Sequence, residues 1–135
     1  MLSKKVVWAA CAACAAIGAG CADRQQEPQA EISFKEDVQP VLERNCVVCH
    51  RPGAEGYAAS GLSLESYASL MKGTKSGPVI EPGSSASSIL VRSVDRDAKP
   101  PVVMPHRNPP LPKKDVKILK AWVDQGALDN GPGAL

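Results

Sequence analysis

Aromatic side chains are scarce in this chain of 135 residues: one Phe, two Tyr and two Trp. One of them, Trp8, lies in the N-terminal apolar run. Phe34, Tyr57, Tyr67 and Trp122 are left for a folded core, and a chain this short buries only a modest fraction of its surface. No stretch alternates with period two for long enough to make a convincing strand, which argues against a sheet. No internal repeat is present, which excludes a solenoid. The longest apolar run, Val6 to Gly20, falls short of the roughly 20 residues that a membrane-crossing helix needs. An excess of positive charge is also missing. Lys and Arg number 16 against 14 Asp and Glu, and without Lys4 and Lys5 the balance is 14 against 14. Nucleic acid binding has no support on that count.

What is present begins with an export signal. Met1 to Lys5 is a short positive start, and the run of small apolar residues after it ends at Gly20, so residues 1–20 are expected to be a signal peptide. Cleavage falls before Cys21 or after Ala22. The segment Gly18-Ala19-Gly20-Cys21 resembles a lipoprotein box, although Gly18 stands where a larger aliphatic residue is usual. Cys21 is therefore the candidate lipid anchor, and residues 21–32, polar and without apolar periodicity, are the expected tether. Residues 33–130 are the expected folded domain and 131–135 a loose tail. Cys11 and Cys14 lie inside the signal and read as small apolar residues.

The chain is organised around Cys46-Val47-Val48-Cys49-His50. Two cysteines at i and i+3 lie on one face of a helical turn, so both can add to the vinyl groups on one edge of a porphyrin. The histidine that follows is then carried under the ring, where its imidazole can bind iron. This is the pattern of c-type haem attachment. A zinc site would need four ligands, and only His106 and Cys21 remain to complete one. A thioredoxin-like dithiol belongs beside a βαβ pattern, which is absent. The remaining competitors are a redox dithiol and a structural disulfide, in a domain that holds no haem.

Around that motif the apolar spacing predicts about four short helices and no strands. Ser33 and Glu36 have the form of a capping box, and Phe34, Val38, Val41 and Leu42 follow at helical spacing, interrupted by Pro40, where a kink or two short turns are expected. Arg51 to Gly56 reads as a turn-rich loop. Ser63 is placed to cap a second helix carrying Leu64, Tyr67, Ala68 and Met71, with Gly73 ending it. Ser84 to Val94 is expected as a third. Val116, Leu119, Trp122 and Val123 form the inner stripe of the last, which Gln125-Gly126 closes.

Between Pro100 and Pro112, six of thirteen residues are proline, so the segment is a stiff, extended loop that can neither join a sheet nor continue a helix. Met104 and His106 sit within it. The sixth iron ligand is to be sought among Met71, Met104 and His106, or the position is open. Met71 belongs to a helical stripe and reads as core filler. Met104, in a proline frame with nothing obvious to pack against, is the expected ligand. His106 is the alternative.

From Phe34 to Ala127 the chain resembles the planctomycete-type cytochrome c domain, a branch of the class I cytochrome c fold. The matching stretches are Val38-Gln39-Pro40-Val41-Leu42, the Cys46 to His50 motif, Gly61 to Tyr67, Leu70 to Gly73, Gly77 to Ile80 with Pro82-Gly83, Met104-Pro105, and Leu119 to Ala127. The resemblance implies an all-α, cytochrome c-like fold with first and last helices crossing beside the haem. It also implies one haem c bound covalently at Cys46 and Cys49 and ligated by His50 and Met104. His106 stands where the family usually shows a second proline. The expected function is single-electron transfer outside the cytoplasmic membrane, with redox proteins as partners and no catalytic residues. The competing function is a haem enzyme or gas sensor with an open distal side. Eight Lys and Arg against three Asp and Glu between Arg92 and Lys120 are suited to an acidic partner.

Overall fold

The computed structural model describes residues 30–99, 102–106 and 108–131. The signal segment, Cys21 and most of the tether lie outside the described residues, as do Pro100, Pro101, Arg107 and the tail beyond Gly131. No helix among the described residues is long and apolar enough to cross a membrane.

The fold is all-α. The chain enters through a π-helical turn, Phe34–Val38, which passes directly into α1, Gln39–Asn45. Pro40 falls in the first turn of α1, where its missing N–H costs nothing, so the expected break takes the form of a change of helix type. Ser33 caps the entry by accepting from the Glu36 amide at 3.1 Å, as expected. Its own amide, however, donates to Asp37 Oδ2 at 2.8 Å and not to Glu36. The wider π turn brings the fourth residue round to where the third would stand in an α-helix.

Four further helices follow: α2, Glu55–Ser60; α3, Tyr67–Lys72; α4, Ile89–Val94; and α5, Lys113–Asp124. A 3₁₀ turn, Arg96–Ala98, trails α4. The described residues thus hold five α-helices where about four were expected. The addition is α2, inside the stretch read as a loop. Two other starts move. Ser66, with Ser69 in a reciprocal capping box, opens α3 in place of Ser63. Leu64 consequently lies in extended chain, where its amide donates to the His50 carbonyl at 2.8 Å. Residues 85–87 form a turn, and Ser88 is the cap of α4.

The core is a single aliphatic cluster with an aromatic corner. Trp122 on α5 lies 5.5 Å from Phe34, and Tyr67 meets Phe34 edge-on at 5.2 Å between ring centres. The polar ends of these rings fasten the segment after α5. Trp122 Nε1 donates to the Leu128 carbonyl and Tyr67 Oη to that of Ala127, each at 2.9 Å. Asn130 then stitches the two ends of the domain together, accepting the Phe34 amide at 2.8 Å and donating to the Ile32 carbonyl at 3.1 Å. The first turn and the last helix are held side by side through these contacts.

Asp95 closes the other end of the molecule. It accepts from the Asp97 amide at 3.1 Å and pairs with Lys120 of α5 at 2.5 Å. The hydrogen bond from Lys120 holds its carboxyl below the usual carboxylate range, against the opposing effect of burial. A depressed carboxylate stabilises the fold above its unfolded-state pKa, and that stability is lost as pH falls through the folded value. Asp95→Asn should therefore lower the urea midpoint at pH 7 and leave a progressively smaller difference from the native chain below about pH 4. A difference that stays constant with pH would contradict this.

Candidate cofactor site

The turn after α1 builds the site. Amides of Cys49 and His50 both donate to the Cys46 carbonyl, at 3.1 and 3.0 Å, so residues 46–50 continue one more helical coil past the end of α1. That coil puts both thiols and the imidazole on the wall of a single cavity of about 750 Å³. The volume lies in the upper part of the roughly 300–1,000 Å³ range of small-molecule and cofactor sites. Leu42, Leu62, Leu64, Val79, Val94 and Leu119 supply apolar walls from α1, α4, α5 and the loops between them. Met104 and His106 line the same cavity from the proline loop. Met71 packs against the core and is not among the lining residues, in keeping with its reading as filler.

Each of these side chains has a distinct environment. Both cysteines are free, Cys46 half-buried and Cys49 exposed. Burial pushes the Cys46 thiol up to about 11, with the neighbouring Cys49 adding to the shift. Reactive dithiols need the opposite, a thiol pKa well below the free value. His50 is held below its usual value, first by burial and further by His106; the Leu62 backbone acts in the opposite sense. The imidazole is thus neutral at pH 7, the form that binds a metal. Its Nδ1 is buried and has no hydrogen-bond partner among the described residues. Met104 is half-buried against the core, and its amide donates to the Ser93 carbonyl at 2.8 Å, which fixes the loop to α4. The Met104–Pro105 peptide is cis. His106, by contrast, is exposed.

The donor set suits a haem and little else. Among the described residues no group of three or more His, Cys, Asp or Glu is gathered to hold a bare ion. A porphyrin brings four of the iron's ligands with it and asks the protein only for axial ones. An apolar cavity with two thiols on one edge and a neutral imidazole beside them fits that request.

Residues 46–107 match the family model described as planctomycete cytochrome C. That match takes in the Cys46 to His50 motif and Met104 and covers a little under half of the chain. Similarity to that family implies a c-type cytochrome that binds haem c. Among solved structures this chain is similar to a chain of Kuenenia stuttgartiensis hydrazine synthase, at 20% identity and a TM-score of 0.48. That similarity covers 71% of this chain and 16% of the other, so this chain spans about a sixth of that neighbour's length. No curated protein matches.

Of the residues singled out in the sequence, Cys46, Cys49, His50, Met104 and His106 line the cavity. Sequence reasoning missed Gly56 and α2, which also line the cavity. A helix with no buried residues carries no apolar stripe to find.

Proposed function

We propose that this chain is an exported, lipid-anchored monohaem c-type cytochrome that passes single electrons, with His50 and Met104 as the side chains that would hold its iron. The observation that carries the reading is that Cys46, Cys49, His50 and Met104 all line one apolar cavity. Bound haem supplies one-electron chemistry at iron. The chain's residues do the rest. The neutral imidazole of His50 would offer a lone pair to iron, and the thioether of Met104 would favour the ferrous state. The Ser93 carbonyl holds the methionine loop by its amide, and the aliphatic walls keep water from the metal. Were His50 and Met104 both to hold the iron, oxygen and peroxide would find no ready place to bind. His106 lines the cavity too, but its exposure and the anchoring of Met104 favour the methionine.

Redox titration followed by visible and near-infrared absorption tests this. A single one-electron wave is expected, with a low-spin six-coordinate spectrum and a methionine-to-iron charge-transfer band. A high-spin ferric spectrum would instead favour the haem enzyme or gas sensor with an open distal side.

The partners in this reading are redox proteins. Lys113, Lys114 and Lys117 are exposed at the start of α5, directly after Leu111 of the cavity wall, where they suit an acidic surface. The anchor is Cys21, on the outer face of a bacterial membrane. Cys21→Ser should move the protein from the membrane to the soluble fraction, and unaltered fractionation would remove the anchor from the account.

A further inference from the structure

Gly56 is the second residue of α2, a helix position where glycine is less favourable than alanine. What asks for it is space. A Cβ built there would stand 2.8 Å from the Cys49 carbonyl oxygen, 3.0 Å from His50 Cε1 and 3.1 Å from His50 Nε2. None of these neighbours can yield easily. The Cys49 carbonyl accepts the Tyr57 amide at 3.1 Å, which docks α2 on the haem-attachment turn. The His50 amide donates to Cys46, and its carbonyl accepts from Leu64 at 2.8 Å. The chain thus leaves His50, forms α2 against the ring, turns at Gly61 and returns to pin His50 from the other side. Two contacts hold α2 to this course: Lys75 Nζ donates to the Ala58 carbonyl at 2.9 Å, and the Lys75 amide donates to that of Ser60 at 2.9 Å.

We propose that Gly56 is a positioning residue for the axial histidine: its bare backbone lets α2 lie against the imidazole and sets the ring's orientation at the metal. The inference rests on His50 being an iron ligand. It adds that the orientation is set by a helix outside the attachment motif. Any side chain at position 56 would enter the space beside Nε2.

The test uses holoprotein made in a host competent in cytochrome maturation. Gly56→Ala leaves both thioether cysteines in place, so haem stays attached. Its ferric low-spin electron paramagnetic resonance g-values and its reduction potential should both shift from the native ones. Ala58→Gly, on the exposed side of α2, alters helix propensity without approaching the ring and should shift neither. If position 56 mattered only through helix propensity, alanine would stabilise the protein and leave g-values and potential unchanged. That result overturns the proposal. Should Gly56→Ala not accumulate, the native reduced protein decides by nuclear Overhauser contacts between the Gly56 α-protons and the His50 ring protons; their absence overturns it equally. A native spectrum without an imidazole ligand on iron would defeat the proposed function itself, and it is recorded before any variant is compared.

Discussion

Met104→Ala should lower the reduction potential by on the order of 0.2 V, part of the roughly 0.8 V over which axial ligands tune haem. It should also open the iron to carbon monoxide. On the proposed ligation the thioether would stabilise the ferrous state, and alanine would leave either water or a vacant position in its place. Two features make the effect large. The loop that carries Met104 is fixed by the bond from its amide to the Ser93 carbonyl at 2.8 Å. It is also stiffened by its prolines, so a substitute ligand cannot be drawn in cheaply. His106, on the same wall, is the nearby group able to compensate. If it does so, the spectrum stays low-spin but loses the methionine charge-transfer band. A variant with native potential and no affinity for carbon monoxide would remove Met104 from the iron.

Trp122→Ala is expected to have the largest effect on stability. The indole is 1% exposed and meets both Phe34 and Tyr67, at 5.5 and 6.4 Å between ring centres. Emptying such a site costs about 3–5 kcal/mol, a large share of the roughly 5–15 kcal/mol that holds a typical domain together. Part of that loss is not apolar. The Nε1–H that donates to the Leu128 carbonyl at 2.9 Å disappears as well, and with it one tie on the chain leading to Asn130. Trp122→Phe separates the two contributions: it keeps a ring in the corner and gives up the hydrogen bond, at about 1 kcal/mol. Denaturant unfolding of the holoprotein measures both. A Trp122→Ala midpoint close to native would mean that the joint between the first turn and the last helix lies elsewhere.

The residues that bring sulfur and imidazole to the cavity wall were the most legible in the sequence. Cys46, Cys49 and His50 are specified by spacing alone, and Met104 by its setting among prolines. Elements carrying an apolar stripe, α1 and α5 above all, were legible for the same reason: periodicity is the direct trace of a buried face. What escaped was fixed by tertiary contact. Helix α2 has no buried residue, and its companions are the carbonyl of Cys49 and the side chain of Lys75. Leu64 had the right spacing for the next helix but is drawn into extended chain by its bond to His50, so the start passed from Ser63 to Ser66. Ser33 kept its capping role, yet a π turn exchanged its reciprocal partner from Glu36 to Asp37. Neighbouring serines and acids are interchangeable as signals, and only geometry chooses between them.

The most direct measurement is haem stoichiometry and linkage in the mature protein after denaturation. One haem per chain should resist extraction by acidified organic solvent, with a pyridine haemochrome spectrum of a haem whose two vinyl groups are both saturated. Haem that is extracted freely, or a colourless chain from a host able to mature c-type cytochromes, would contradict attachment through Cys46 and Cys49.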